Sequence, residues 1–556
     1  MPVRSPLAAV MIAATLALSA CTGAPPAPVT APAPARAKPA PPPQPAAARP
    51  AAMLPGTLPA MPRVTGALVL DMVYPPENYL LSVRESTFVF GSVGNGDAAL
   101  TINGAAVPVN PNGSFMAFLP VPADTAYTLR ASLPDGQTAV AVRRVRFPVR
   151  GTAARPSSPA TIDTVGYPRL VTLANTNEYA SADTDMMTIV RPAPNGTYQW
   201  FLLPGTEVLA TGRLGASVRI RLDSQLEAWV DAPAALPVHE AEPATRDAAN
   251  REPATREAAP PPRRISGARV ASTADYSDVV LSMNARAPYA VDETADGLAL
   301  TVYDARASLD LIRYDTGDPT GRVVRGEQVT SDRVRVHVDL RHAPVGYQVM
   351  WRPGALVLRV RHRPAVDAAE PLRGRVIAVD AGHPPGGATG PTRLREPEAT
   401  LAVAEQLKAM LEARGARVVM LRSTMDAVSL GSRPIDARRA NAEAFVSIHL
   451  NAFADGANPY AIARGSGTFF FRPQSEPLAR AVQQGLVRHL GLRDEGIFFN
   501  NLAVVRPTWF PAVLCEGAWV VMPEQEAALR TLEFQRAYAA GIVDGLDAYF
   551  RGLRAP

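Results

Sequence analysis

The sequence predicts a multidomain protein in which all-β modules, of sandwich or barrel type, precede one α/β domain at the C-terminal end. Three observations carry this. The chain has 556 residues, more than one hydrophobic core organises. Up to about residue 365, short apolar runs alternate with polar residues and are bounded by turn signals. From residue 374 onward, apolar runs alternate with helical stripes instead.

The first residues, MPVRSPLAAVMIAATLALSAC, place Arg4 before an apolar run at 7–20 that is too short to span a bilayer. The run ends in Leu18-Ser19-Ala20-Cys21, which resembles the lipobox of bacterial lipoproteins. That resemblance implies cleavage of residues 1–21 before Cys21 and a membrane anchor through lipid on Cys21. Thr22 follows rather than Asp, which suits the outer membrane with the protein facing the periplasm. Residues 22–62 are dominated by Ala and Pro. Such a stretch buries no core and reads as a semi-rigid spacer sampling polyproline conformations.

Three β modules are expected next. Residues 63–150 carry short strands such as Phe88-Val89-Phe90 and Phe115-Met116-Ala117-Phe118. Asn-Gly pairs at 95–96, 103–104 and 112–113 are expected to form tight hairpin turns, and an immunoglobulin-like sandwich fits. Residues 151–238 repeat the style, with VRIRL at 218–222 alternating strictly, and suggest a small SH3-like unit. A linker at 239–264 contains EPATR twice and ends near PPP. In 265–365, Val334, Val336, Val338 and Leu340 alternate with polar residues, and by pattern and place this module resembles the AMIN modules of envelope amidases. No cluster of titratable residues in these modules reads as catalytic, so they read as scaffold or as binding modules for envelope protein partners.

Charge and cysteine content exclude other classes. The net charge is only +5, and no basic run is interleaved with aromatics, which argues against nucleic acid. Apart from Cys21 the only cysteine is Cys515, so neither a disulfide framework nor a CxxC metal site is implied.

The α/β domain is expected over 374–551. RVIAVD (375–380), ARVVMLR (416–422), AFVSI (444–448), GTFFF (467–471), LAVV (502–505) and PAVLC (511–515) read as strands. Helices are expected at 398–414, 433–443, 475–490 and 523–549. In a sheet covered on both faces, ligands gather beyond the carboxyl ends of the strands. Those ends carry Asp380-Ala381-Gly382-His383, His449 and Glu516, and Glu396 stands at the start of the first helix. Two histidines and a carboxylate make the ligand set of a catalytic zinc site with an open position. Glu516 is then free to act as a base. Glu398, two residues from Glu396, is an alternative ligand. Cys515 points away from Glu516, because successive strand side chains alternate, and reads as a buried structural thiol.

The ordered set DAGH, Glu396 with Leu401 five residues on, SIHLN and PAVLCEG resembles the zinc-dependent N-acetylmuramoyl-L-alanine amidases of the amidase_3 type. The resemblance covers about 375–551. It implies Zn²⁺ held by His383, Glu396 and His449, with Glu516 as the catalytic carboxylate. The implied reaction is hydrolysis of the amide joining N-acetylmuramic acid to L-alanine in peptidoglycan, for cell-wall remodelling or cell separation. The alternative is a non-catalytic peptidoglycan-binding or regulatory envelope protein. Asn451 and Arg506 are candidate substrate contacts, and the Gly- and Ala-rich loop 452–466 is placed to shape a groove. The chain departs from the family pattern at Pro384, at Leu450 and at the Gly-Ala-Trp after Glu516.

Overall fold

A computed structural model describes residues 58–147, 161–175, 187–238, 262–309, 311–315, 321–462 and 464–553. Cys21 with its signal segment, and most of the 22–62 and 239–264 linkers, lie outside the described residues. Among the described residues no helix is long and apolar enough to cross a membrane.

The first unit packs a three-stranded sheet (Asp71–Tyr74, Ser86–Ser92, Ser114–Pro120) against a five-stranded sheet that includes Ala99–Ile102, Ala126–Ser132 and Thr138–Arg146. Leu81, Val89, Phe115, Tyr127 and Leu129 are buried between them. Of its three Asn-Gly pairs, only Asn103-Gly104 has both residues at positive φ, 48° and 82°, as a tight hairpin turn requires. At the other two the expectation fails. Asn95 caps the backbone N–H of Asp97 through its side chain, and Asn112 does the same for Ser114. The pairs therefore work by side-chain capping rather than by two left-handed residues.

The second unit is a five-stranded sheet with a separate hairpin of Thr188–Val190 and Trp200–Leu202. The third has one six-stranded and one four-stranded sheet between Arg263 and Arg361. These two units share one core. Leu202, Leu203 and Val208 of the second join Tyr289, Val302 and Ala305 of the third in a single buried cluster. Arg333 pairs with the fully buried carboxylate of Asp223 across the same boundary.

The α/β domain has six strands and five helices. In chain order these are β1 (Val376–Ala381), α1 (Glu396–Glu412), β2 (Arg417–Met420), α2 (Ser432–Arg439), β3 (Ala444–Asn451), β4 (Ser466–Phe470), α3 (Glu476–Leu490), β5 (Asp494–Phe499), β6 (Ala512–Trp519), α4 (Pro523–Leu529) and α5 (Leu532–Gly552). The spatial order is β2-β1-β3-β6-β4-β5. The β1, β2, β3 and β6 strands run parallel, whereas β4 is antiparallel to β6, so the sheet is mixed. Three expectations are corrected. LAVV is no strand: Ala503–Val505 form a 3₁₀ turn, caught between Asn500-Asn501 and Pro507, and β5 lies earlier, where Gly496 and two acidic residues mask the pattern. The final helix is two, because Thr531 starts a new one by accepting the N–H of Phe534 on its side chain. The second helix stops at Arg439, and Asn441 leaves it at φ 57°.

The α/β core extends beyond the domain. Phe88, Phe90 and Met116 of the first unit are buried in the same cluster as Val446, Val520 and Phe534. The first and last units of the chain are thus packed together, while the second and third share their own core.

Candidate metal centre and active site

The three candidate ligands come from three segments that the fold brings to one edge of the sheet. His383 sits on the loop after β1, Glu396 is the first residue of α1, and His449 lies near the end of β3. One ligand atom from each lies within 4.8 Å of the others. His449 Nδ1 is 3.2 Å from Glu396 Oε1, and His383 Nε2 is 3.4 Å from Glu396 Oε2. His383 Nδ1 is 2.9 Å from the carbonyl of Pro385. A proton on Nδ1 donates there and leaves Nε2 with a lone pair toward the cluster. Gly382 permits this closeness, since a Cβ on it would lie 2.6 Å from the imidazole of His449.

Glu396 is held as a carboxylate. Its Oε1 accepts the Leu450 N–H at 3.0 Å and its Oε2 accepts the Ala388 N–H at 2.9 Å. Burial raises its proton affinity, but the bonds from His383 and His449 outweigh burial and hold the carboxyl well below the usual range. Burial also works against charge on His383, and the bond to Glu396 overcomes it, so that imidazole is pushed up. Glu398 does not enter the cluster. It is exposed and turns back to the N–H of Arg395, completing the helix cap.

Glu516 lies on β6 directly opposite His449 in the β3–β6 register, so both side chains stand on the same face of the sheet. It is half-buried, and its Oε2 is enclosed with no hydrogen-bond partner among the described residues. Burial, then the charges of Glu396 and Glu495, push its proton affinity well up. Cys515 points to the opposite face, where burial raises its thiol too. The Tyr538 hydroxyl on α5 ties both strands, lying 3.1 Å from the His449 carbonyl and 2.8 Å from that of Cys515. It also accepts the Gly517 N–H at 2.8 Å. Two imidazole nitrogens and a carboxylate oxygen that face one another, beside a second carboxylate with an open oxygen, fit a divalent metal.

Sequence reasoning missed the frame that holds the His383 loop. Arg433 and Arg422 are 3% and 2% exposed, deep for charged side chains. Arg433 bonds the Asp380 carboxylate at 2.5 Å and the carbonyls of Ala381 and Pro384 at 3.0 Å each. Ser447 donates to the other Asp380 oxygen at 2.7 Å. Arg422 collects the carbonyls of Ala381, Gly382 and Pro397. Two guanidiniums therefore satisfy carbonyls at the end of β1, on the loop that follows it and at the start of α1. The one signal for Arg433 was its place in a helix that otherwise reads as solvent-facing.

Asn451 is 9% exposed, stands beside Trp519 in the register, and accepts the Ala452 N–H on its side chain. Arg506, expected as a substrate contact, is not brought to the cluster. It precedes β6 and so lies toward the amino end of the strand, whereas Glu516 lies toward the carboxyl end. There it bonds Asn501 and lies over the Tyr198 ring of the second unit, 5.0 Å from its centroid.

Residues 377–548 match the Amidase_3 family model, N-acetylmuramoyl-L-alanine amidase. The uncharacterized protein YqiI of Bacillus subtilis is 33% identical over 210 residues, covering 36% of this chain and 98% of that protein. The probable cell wall amidase LytH of Staphylococcus epidermidis is 33% identical over 189 residues, covering 33% of this chain but 61% of LytH. A solved N-acetylmuramoyl-L-alanine amidase from Clostridium difficile 630 is 30% identical, covers 31% of this chain and 95% of that one, and superposes with a TM-score of 0.29. None of these matches covers more than 36% of this chain. On its C-terminal part, this chain belongs to the Amidase_3 family of N-acetylmuramoyl-L-alanine amidases.

Proposed function

We propose that this family member is a zinc-dependent, lipid-anchored cell-envelope enzyme that hydrolyses the amide between N-acetylmuramic acid and L-alanine in peptidoglycan. The observation that carries the reading is the convergence of His383, Glu396 and His449 within 4.8 Å beside the unpartnered Oε2 of Glu516. When bound, zinc supplies Lewis acidity that polarises the scissile carbonyl and makes water a better acid.

The chain's own groups do the rest. His383 Nε2, His449 Nδ1 and one Glu396 oxygen would hold the ion, with the Pro385 carbonyl orienting His383 and the Leu450 and Ala388 N–H groups orienting Glu396. Glu516 Oε2 takes a proton from the attacking water as hydroxide adds to the carbonyl carbon. It then gives that proton to the departing L-alanine nitrogen as the C–N bond breaks. A carboxyl whose proton affinity is raised by burial suits a group that must accept and return a proton near neutral pH. The LSAC segment ending at Cys21 supports the anchor and an outer-membrane, periplasm-facing location. The third β unit, with its two sheets directly before the amidase domain, is consistent with an AMIN-like module and with envelope partners.

The test is product identification on purified sacculi with the full chain, together with metal analysis. Stoichiometric zinc and stem peptides released with a free L-alanine amino group are expected. Binding to sacculi without release would reject the reading.

A further inference from the structure

The first β unit meets the amidase domain at both loops that border the metal cluster. On one side Asp71 pairs with Arg393 through two bonds of 2.6 and 2.7 Å. Arg393 stands three residues before Glu396, on the loop that starts at His383, in the left-handed region at φ 69°. On the other side lies the segment 452–462, which follows His449 and Asn451. Its Asp455 accepts from the Tyr74 hydroxyl, from the backbone N–H and hydroxyl of Ser82 at 3.0 Å each, and from Tyr79 at 3.4 Å. Gly456 donates its N–H to Thr87 at 3.1 Å, and the Tyr460 hydroxyl donates to the Met116 carbonyl at 2.9 Å.

An aromatic column runs from the sandwich to the end of β6. Tyr74 stacks on Phe88 at 4.4 Å, Phe88 meets Phe453 edge-on at 5.5 Å, and Phe453 stacks on Trp519 at 4.6 Å. Trp519 ends the strand that carries Glu516. Phe88 and Phe90 are 1% and 3% exposed, so this face of the sandwich is covered by the amidase domain. The cluster itself stays accessible, with the His383 and His449 side chains 28% and 17% exposed. The contact therefore grips the rims of the site without capping it.

We propose that the first β unit is a working part of the hydrolase: its three-stranded sheet clamps both metal-bordering loops, and through Asp455 it fixes segment 452–462 as a wall of the groove that takes the glycan-linked peptide. The assignment of the groove to peptidoglycan rests on the proposed function, whereas the clamp does not. A carboxylate accepting several bonds at a partly buried boundary is costly to lose, because its donors are then left unpaired. Loops bordering a site would otherwise belong to the least stable parts of a fold.

The test uses the full chain carrying Asp455→Ala, with Asp71→Ala as a second variant on the more exposed side. In Asp455→Ala, hydrogen exchange of amides 452–462 is expected to rise by about tenfold, and KM for soluble muropeptide several-fold, with kcat and zinc content near wild type. Asp71→Ala is expected to raise exchange in 388–394 instead. Unchanged exchange in both variants overturns the clamp. Faster hydrolysis by Asp455→Ala overturns the wall, because the contact would then be a brake. If the wild type releases no peptide, the amidase reading fails while the exchange measurement still decides the clamp.

Discussion

Two half-buried glutamates meet opposite edges of the amidase sheet. Glu516, toward the carboxyl edge, keeps an oxygen without a partner. Glu293 of the third β unit meets the amino edge and is fully engaged: one oxygen accepts the Gln474 N–H at 2.5 Å and the other the Tyr347 hydroxyl at 3.2 Å. Burial raises the proton affinity of both, and for Glu293 these bonds and the nearby Arg472 pull it partly back. A shifted carboxyl therefore does not mark a site by itself. What marks it is the unused hydrogen-bonding capacity left facing a cluster of potential ligands. At the amino edge several polar groups join modules: Tyr347 donates its N–H to the Thr508 carbonyl, and Arg361 bonds the carbonyls of Asn441 and Ala442.

The strongest way to break this comparison is to neutralise each glutamate in turn. Glu516→Gln is expected to retain metal and lose about 10²–10⁴-fold in kcat on sacculi. Turnover at the wild-type rate would remove Glu516 from the mechanism. Arg433→Ala should cost about 3–5 kcal/mol of stability, because it strands the Asp380 carboxylate in the core. It should also weaken zinc binding, read by competition with a chromophoric chelator, since the carbonyls of His383 and Pro384 on that loop lose their contacts to the guanidinium. Glu293→Gln is expected to cost about 1–3 kcal/mol in thermal or denaturant unfolding and to leave kcat unchanged. The smallest effect belongs to Arg506→Ala. It gives up a ring contact worth about 1 kcal/mol, and KM for muropeptide should stay at the wild-type value. A raised KM would return Arg506 to the substrate.

The sequence made the strand-borne part of the site legible. β1, β3 and β6 are apolar runs that end in polar residues, and period-two geometry then fixes which side chains share a face. Glu396 was legible for a related reason, because a carboxylate at a helix start has few places to go, although only the fold separates it from Glu398. What stayed hidden is held by groups distant in sequence. Arg422 and Arg433 serve backbone carbonyls, which leave no side-chain pattern to read. The partners of Asp455 lie more than 370 residues earlier. LAVV misled because four apolar residues fit a strand or a short turn equally well, and the nearby asparagines and proline decide between them. The three Asn-Gly pairs misled because asparagine can cap a turn with its side chain or enter the left-handed region itself.

The shared core of the first and last units has a consequence for how the chain comes into being. Synthesis delivers the sandwich first and its partner last, with the two central units in between. Until the final helix is complete, Phe88, Phe90 and Met116 have no surface to cover them. The nascent protein thus carries an apolar patch that chaperones can recognise during synthesis, and the hydrolase becomes competent only when the sandwich and the amidase domain meet.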